Sequence, residues 1–334
     1  MVKIAVVSDI HSNWPALRAV LDDLGRHGYD LLVCAGDIVG YGAFPNECLD
    51  ALRKYMGVCV AGNHDDGVRS YRKLLNDGTR GTEEEVRRAL KSADVGFLLG
   101  KNPDFDRHQL SYNFDAHTAA MHNAEVLTPE NAEYLENLST APYFDSQKGF
   151  GLVHGSFSGR ESSHPRNRFE GIYVTDESLA RMAMQNMFFY TGDDCVHVGL
   201  GLVGHTHVPM ISSGWINYDN FDFMERAQLE GGQFKMFFSE GDVAKSSRVI
   251  SIEQAEEPVQ AGFWKRKVLF NPGSVGQPRH GSPRACYGTV YIEGEHITVD
   301  FREVEYPIEE AQEKMAEDKL RFSEDLIKRL ERGR

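Results

Sequence analysis

One short pattern occurs five times in this chain: a run of apolar, mostly β-branched residues ends at once in Asp, Asn or His beside a small residue. The runs are VKIAVV, DLLVCA, MGVCVA, GFGLV and VHVGLGLV, and they lead into SDIH, GD, GNHD, HG and GHTH. Continuous apolar runs of this length are typical of strands that are buried on both faces. The pattern therefore predicts a buried sheet whose strand ends carry polar side chains.

A helix is predicted between the first two of these strands. Asn13 is placed to cap its N-terminus, Pro15 lies in its first turn, apolar residues recur at helical spacing up to Leu24, and Gly25 and Gly28 are stop signals. The order strand, helix, strand favours an α/β fold with a mainly parallel sheet. Because loops at the carboxyl ends of parallel strands form the ligand crevice of such sheets, we expect the polar loops to converge there.

Charge and hydropathy exclude several classes of protein. The chain carries 36 Lys and Arg against 50 Asp and Glu, a formal net charge of -14, so an extended docking surface for nucleic acid is not expected. No apolar stretch reaches 18 residues, the apolar run before Asp9 is too short for a signal-peptide core, and no membrane partner is expected. Five widely spaced cysteines without a CxxC pair indicate a reducing compartment, and we expect a cytoplasmic protein.

Seven side chains at the predicted strand ends are candidate metal ligands. They are Asp9, His11, Asp37, Asn63, His154, His205 and His207. Each has a structural alternative on its own, such as a helix cap for the aspartates, a turn for the asparagine or a hydrogen-bonded core position for a histidine. Together these donors suit divalent metals, with Mn or Fe favoured and Zn, Ni or Co as alternatives. Seven donors exceed the needs of one tetrahedral site, and two adjacent ions can share a bridging carboxylate.

The order of the motifs resembles the calcineurin-like metallophosphoesterase superfamily. Its signature blocks match DIH at 9–11, GD at 36–37, GNHD at 62–65, HG at 154–155 and GHTH at 204–207. The segment NPGSVGQPR at 271–279 further resembles the small bacterial and archaeal phosphodiesterase branch. The resemblance implies an α/β fold, a four-layer α-β-β-α sandwich with two mixed β-sheets.

The resemblance also implies a role for each position of the motifs. It assigns three ligands to one ion, three to the other and one shared carboxylate: Asp9, His11 and His207; Asn63, His154 and His205; Asp37. His64 is then the general acid, and Asp65 beside it is placed to orient the imidazole. Five arginines are candidates to contact the substrate phosphate: Arg160, Arg166, Arg168, Arg279 and Arg284.

The function implied by the resemblance is hydrolysis of a small phosphodiester by a hydroxide that bridges two metal ions. One alternative is a phosphomonoesterase of the protein-phosphatase type, but that branch carries Arg soon after its GD block and Glu after Asn-His. This chain has GDIVGYG and NHD at those places, which argues against it. A second alternative is an inactive scaffold, but neither a ligand nor the acid histidine is missing.

We expect a single domain over residues 1–334 with two inserts. A helical insert covers about 66–138 and includes TEEEVRRALKSA and LTPENAEYLENL; an aromatic-rich insert covers about 211–266, with a possible hairpin from Gln233 to Glu253. The aromatic residues need burial in a satellite core, against a second subunit in a homo-oligomer, or around a substrate group. Further on, alternation around Glu293 and Gly294 predicts an antiparallel hairpin, and the charged C-terminal segment predicts an amphipathic helical cover.

Overall fold

The structure is a computed structural model that describes residues 1–55, 57–76, 114–159, 168–191, 194–217, 237–238, 248–253, 257–259, 262–294, 296–317 and 322–334. The strands of this part are β1 (Val2–Val7), β2 (Leu31–Cys34), β3 (Val58–Cys59), β4 (Tyr143–Asp145), β5 (Phe150–Leu152), β6 (Phe188–Thr191), β7 (Asp194–His197), β8 (Leu200–Leu202), β9 (Met210–Asn217), β10 (Phe237–Phe238), β11 (Arg248–Glu253), β12 (Glu257–Val259), β13 (Gly262–Asn271), β14 (Ala285–Glu293) and β15 (His296–Val304). The helices are α1 (Trp14–His27), α2 (Pro45–Tyr55), α3 (Asn63–Asn76), α4 (Phe114–Val126), α5 (Pro129–Asn137), α6 (Glu177–Gln185), α7 (Ile308–Ala316) and α8 (Glu324–Arg332).

Two mixed sheets form the centre of the fold, as the resemblance implies. The first has the order β11-β15-β14-β1-β2-β3, and the second has the order β10-β9-β13-β8-β5-β4 with β12 paired to β13. The parallel pairs are β1 with β2 and β2 with β3 in the first sheet, and β5 with β8 and β8 with β13 in the second; the other pairs between described strands of these sheets are antiparallel. The expectation of a mainly parallel sheet is therefore wrong, because antiparallel strands complete both sheets. Within each sheet, the strands that lead into the polar loops do run parallel to one another.

The apolar side chains divide between the faces of the sheets and create four layers. Ile4 and Val6 of β1 pack with Phe150 and Leu202 of the second sheet, in a core between the two sheets. The alternate residues of β1 pack against α1 and α2 in a second core. On the far side of the second sheet, α6 covers residues of β13 and of the loops that follow β5 and β8. Alternation along each strand thus builds the α-β-β-α sandwich.

Local signals explain where the first helix begins and ends. The Asn13 side chain accepts the backbone N–H of Ala16 at 3.2 Å, and Pro15 lies in the first turn. Gly28, with a φ of 67°, ends the helix, and its N–H donates to the Leu24 carbonyl at 2.8 Å. Gly25 lies inside the helix, so only the second of the two predicted stops is used.

The two predicted inserts are described in part. The described residues of 66–138 are helical in α3, α4 and α5, whereas TEEEVRRALKSA at 82–93 lies outside the described residues. Within 211–266, β9 and β13 pair with each other, β10 pairs with β9, and β11 pairs with β15 of the first sheet. The predicted hairpin from Gln233 to Glu253 is therefore wrong for the described strands, because β10 and β11 belong to different sheets. The division into one domain with two inserts stays a prediction.

The C-terminal part follows the sequence pattern closely. The strands β14 and β15 form the predicted hairpin, with Glu293 opposite His296. The helical cover consists of two helices, α7 and α8, whose residues Met315 and Leu330 pack with Tyr41 from the loop after β2. Within the described ranges, no helix has the length and apolar character needed to cross a membrane.

Candidate metal centre

The polar strand ends converge at one edge of the two sheets. Asp9 and His11 follow β1, and Asp37 follows β2. Asn63 is the first residue of α3, directly after the loop from β3. The remaining predicted ligands follow strands of the second sheet: His154 after β5, and His205 and His207 after β8. All of these side chains are buried except Asn63, which is half-buried.

The structure divides the Asp and His side chains into two overlapping groups. The first contains Asp9, His11, Asp37 and His207, and the second contains Asp37, His154 and His205; in each, the candidate ligand atoms lie within 4.8 Å of one another. Asp37 belongs to both groups. The amide oxygen Oδ1 of Asn63 joins the second group, 3.2 Å from Nε2 of His154. The seven predicted ligands thus lie close together, in the two sets that the resemblance implies.

Backbone carbonyls fix the tautomers of three of the histidines. The Nδ1 atom of His11 lies 3.2 Å from the carbonyl oxygen of Val39, and that of His154 lies 2.7 Å from the oxygen of Ala35. The Nδ1 atom of His207 lies 2.6 Å from the carbonyl oxygen of Gln277. Since a carbonyl can only accept, each Nδ1 carries a hydrogen, and Nε2 of each ring is the atom that faces the site and can bind a metal ion when it carries no proton. This arrangement is usual for metal-bound histidine.

Ring nitrogens of neighbouring histidines face one another inside the site. Nε2 of His11 lies 3.0 Å from Nε2 of His207, and Nε2 of His154 lies 3.1 Å from Nδ1 of His205. Among the described residues, the buried carboxylate atoms Oδ1 of Asp9 and Oδ2 of Asp37 have no hydrogen-bond partner. The facing acceptors of the neutral His11 and His207 rings repel one another unless a cation lies between them. Beside Asp37, a proton on His154 supplies the positive charge in the metal-free protein. The residues present therefore fit two metal ions.

Electrostatics within the site point the same way. Burial lowers the pKa of His154, but the Asp37 carboxylate outweighs burial and raises this pKa to about 10. Burial also raises the pKa of Asp9 to about 7. In the rings of His11, His205 and His207, burial holds the pKa well below its usual value, so these rings are neutral. In the metal-free protein, the proton on His154 thus supplies positive charge at a place where the Asp37 carboxylate favours a cation.

The backbone at the site adopts a sparsely populated conformation. Among the described residues other than glycine, those with positive φ are Asp9, His11, Ser12, Asp37, Tyr41, His205 and His207, with φ between 49° and 69°. Five of the seven are predicted metal ligands; Ser12 directly follows His11, and Tyr41 lies in the same loop as Asp37. Such angles cost free energy and are retained where surrounding structure enforces them for function.

Two glycines allow the loops to approach the ligands closely. A Cβ atom on Gly62 would overlap the Asp37 carboxylate, and one on Gly204 would overlap the Ser8 hydroxyl. The N–H of Gly204 donates to the His154 carbonyl at 2.7 Å, which ties the GHTH loop to the loop after β5. Glycine is required at both positions because any side chain would push the ligand loops apart.

The predicted catalytic pair lies at the start of α3. His64 is buried, and its ring centroid lies 4.7 Å from that of His11 and 4.5 Å from that of Tyr41. Asp65 accepts hydrogen bonds from the backbone N–H groups of Ile38, Val39 and Gly62 at 2.8–3.0 Å. These contacts use both carboxylate oxygens and tie the loop after β2 to the loop after β3; the prediction that Asp65 orients the His64 imidazole stays a prediction.

Several residues at the site have no local sequence signal. Asn123 of α4 is fully buried; its Oδ1 accepts from the Ser12 hydroxyl at 2.5 Å and from Gly40 N–H at 2.7 Å, and its Nδ2 donates to the Gly42 carbonyl at 2.8 Å. The ring of Tyr173 lies over His205 with centroids 3.6 Å apart. An isolated Asn or Tyr in a helix or loop does not reveal such contacts from the sequence.

The segment 271–279 forms hydrogen bonds with the loops that carry the metal ligands. Asn271 donates to the Gly204 carbonyl at 2.6 Å, and Ser274 donates to the Asp9 carbonyl at 2.7 Å. The carbonyl of Gln277 is the partner of His207 described above. The resemblance of this segment to a phosphodiesterase branch was the sequence signal for its presence at the site, but not for these individual contacts.

A third group of potential ligands has a different chemistry. Nε2 of His280 lies 3.0 Å from Oε1 of Glu303, with the Cys286 sulfur 3.6 Å from the same nitrogen. An imidazole N–H facing a carboxylate forms an ordinary hydrogen bond and leaves no facing lone pairs. We therefore assign the metal centre to the two groups around Asp37.

Two mixed sheets between helical layers, with overlapping Asp and His clusters at the strand ends, define a metal-dependent phosphoesterase of the α/β class. The chain belongs to the family described as calcineurin-like phosphoesterase, which it matches over residues 2–209. It is 30% identical over 318 residues to "Uncharacterized protein MJ0912" of Methanocaldococcus jannaschii, covering 95% of this chain and 93% of that protein.

Solved structures are similar over the whole chain. A metallophosphoesterase from Sphaerobacter thermophilus is similar with a TM-score of 0.61 and 27% identity, covering 100% of this chain and 99% of that one. The hypothetical protein PH1004 from Pyrococcus horikoshii is similar with a TM-score of 0.57 and 21% identity, with the same coverage of both chains. At that lower identity, the second likeness concerns the fold alone.

Proposed function

We propose that this metallophosphoesterase is a phosphodiesterase that binds two divalent ions and hydrolyses a small phosphodiester. The proposal rests on two close pairs of ring nitrogens, His11 with His207 and His154 with His205, which lie on either side of Asp37. The His64 ring lies beside that of His11. Asp9, His11 and His207 would hold one ion, and Asn63, His154 and His205 the other. Asp37 would be shared, and Mn or Fe is favoured by the mixed oxygen and nitrogen donors.

Two bound divalent ions would supply the Lewis acidity that activates a water molecule and neutralises charge on the phosphoryl group. The residues of the chain provide the rest. Carbonyl groups of Val39, Ala35 and Gln277 hold the imidazole rings in one tautomer and orientation. Because these acceptors belong to the backbone, the ligands are positioned before substrate arrives.

His64 is the group that we assign to protonate the leaving oxygen. Burial lowers the pKa of His64 to about 4, so its ring is neutral in the free site at neutral pH. An anionic phosphoryl group bound beside the ring favours the imidazolium, because opposite charges at short distance raise a histidine pKa. The substrate would thereby generate the acid that its own leaving group needs.

The loop after Asp37 favours a diester over a monoester. The sequence GDIVGYG places Tyr41 against the rings of His11 and His64, so this loop itself contributes no arginine to the site. A monoester presents a dianion at neutral pH, whereas a diester presents a single negative charge, and fewer fixed cations are needed to bind it. Both kinds of natural ester expel a strongly basic alkoxide, so the acid at His64 supports ester hydrolysis without distinguishing the two.

The proposal is tested by reconstituting the protein with Mn and comparing bis(p-nitrophenyl) phosphate with p-nitrophenyl phosphate. We expect a higher kcat/KM for the diester, and activity lost on chelation. Preference for the monoester would instead favour the phosphomonoesterase, and metal loading without turnover of either ester would favour a scaffold. A panel of cyclic nucleotides, dinucleotides and phospholipid-derived diesters then narrows the class of substrate.

A further inference from the structure

The candidate arginines differ in what they contact. Nη1 of Arg168 lies 3.3 Å from Oδ2 of Asp66, and its Nε lies 2.6 Å from Oε1 of Glu170. Nη2 of Arg284 lies 2.8 Å from Oε1 of Glu305. Arg160 and Arg166 lie outside the described residues. Within the described part of the chain, Arg279 is the candidate without a carboxylate partner. Its charge is therefore not neutralised by the protein there.

Arg279 is tied to a loop of the metal centre. Its backbone N–H donates to the carbonyl of His207 at 3.2 Å, and its Nη2 donates to the Gln277 side chain at 3.1 Å. Its guanidinium carbon lies 6.0 Å from the ring centroid of Tyr41, the same ring that contacts His64. The side chain thus lies at the rim of the site, between the GHTH loop and the general acid.

One polar atom of this side chain has no partner in the described part of the chain. The Nε atom of Arg279 is shielded from solvent and finds no hydrogen-bond acceptor among those residues. An unsatisfied buried donor costs free energy, and more so when it carries charge. An anion bound between Arg279 and the metal ligands would give this donor an acceptor and would give the guanidinium a counter-charge.

We propose that Arg279 is the phosphate-binding arginine, and that its guanidinium donates to a nonbridging oxygen of the substrate phosphoryl group. This inference rests on the proposed function and names one residue that makes the site selective for phosphate esters. Guanidinium groups match phosphate oxygens geometrically and keep their charge at any physiological pH.

The surrounding residues hold Arg279 in place before substrate binds. Directly after it, His280 pairs with Glu303 at 3.0 Å. The next residue, Gly281, donates its N–H to the carbonyl of Gly333 at 2.9 Å. Together with the contacts of Arg279 to His207 and Gln277, these anchors limit the entropy that the residue loses on binding, which increases the affinity that its contact supplies.

The test compares Arg279→Gln with Arg284→Gln, which removes a neighbouring arginine that is paired with Glu305 at the surface. Binding of inorganic phosphate to the Mn-loaded proteins is measured by isothermal titration calorimetry, with metal content verified for each. We expect Arg279→Gln to weaken phosphate binding about 10- to 100-fold, the range for one charge-assisted contact. The control should bind phosphate as the unaltered protein does.

Equal phosphate affinity of Arg279→Gln and the unaltered protein would overturn the inference, and so would an unaltered protein that binds no phosphate. The readout does not need turnover. If the unaltered protein binds phosphate through Arg279 but hydrolyses no diester, the proposed function fails while this inference stands.

A second measurement uses the unaltered protein and does not depend on how the variant folds. Phenylglyoxal modifies accessible arginines, and the modified residues are identified by mass spectrometry. In the Mn-loaded protein, we expect saturating inorganic phosphate to slow the modification of Arg279 and to leave that of Arg284 unchanged. The same rate at Arg279 with and without phosphate would contradict the proposal.

Discussion

Nε2 of His11 and Nε2 of His207 lie 3.0 Å apart, although both rings donate their Nδ1 hydrogen to a backbone carbonyl. Two lone pairs held at this distance make the metal-free protein less stable than the loaded one. At a free ion concentration of 100 times Kd, each site should add about 2.7 kcal/mol to the free energy of unfolding. Urea denaturation with and without a chelator measures the gain. An equal unfolding free energy in both conditions would contradict a metal centre.

Metal binding should release protons at neutral pH. The pKa of His154 is raised to about 10 by Asp37, so the ring is charged in the metal-free protein at pH 7.5 and must lose its proton to bind an ion. In the metal-free protein, the interaction of His154 with Asp37 stabilises the folded state. This stabilisation is fully present below the unfolded pKa of about 6.5 and is lost as the pH rises through about 10. Metal affinity should change in the opposite direction and increase with pH over that interval.

Calorimetry in buffers of different ionisation enthalpy counts the protons released on metal binding. We expect at least one proton per chain at pH 7.5, and fewer for His154→Gln, since that variant has lost the group that is charged. Release that is identical in the two proteins would show that the proton comes from elsewhere.

Replacing His64 with Gln should separate metal binding from catalysis. The metal content should stay near that of the unaltered protein, because His64 is not among the grouped ligands. Turnover of a diester with a poor leaving group should fall about 10²- to 10⁴-fold, the range for a lost general acid. The loss should be smaller for a nitrophenyl diester, whose leaving group needs little protonation. Equal losses for both esters would argue against proton donation by His64.

Asn123→Asp tests a residue that positions the site from α4. The Asn123 Nδ2 donates to the Gly42 carbonyl, and an Asp oxygen at that place would face the carbonyl and bury a charge. We expect a loss of about 2–4 kcal/mol of unfolding free energy, because an unsatisfied group and a buried charge act together. Asn137→Asp is the matched control, since Asn137 makes a single exposed contact with Glu133. Equal effects on stability by denaturation would show that Asn123 has no special role.

The ligand set could be predicted from the sequence because each ligand directly follows an apolar run or begins a helix. Asp9, Asp37 and His154 are one or a few residues beyond a strand, and the strand is recognisable from its own composition. The helix caps of Asn13 and Thr128 are local in the same way. Features that depend on residues close together in the sequence can therefore be predicted from short segments.

The contacts that complete the site depend on distant pairing. Ser12 and Asn123 are 111 positions apart, and the carbonyls that orient the histidines carry no side-chain signal at all. The pairing of β11 with β15 was equally unpredictable, because a strand of ordinary composition can join either sheet. Arg279 could not be distinguished from other arginines until the carboxylate partners of Arg168 and Arg284 were placed.

Metal analysis of the reconstituted protein tests the central claim most directly. After incubation with Mn and removal of free ions, elemental analysis of the unaltered protein and of Asp37→Asn should be combined with diester turnover. The account predicts two ions per chain in the active, unaltered protein and a loss of both metal and turnover in the variant, since Asp37 belongs to both ligand groups. Full diesterase activity in an unaltered protein with well below two ions per chain would contradict it.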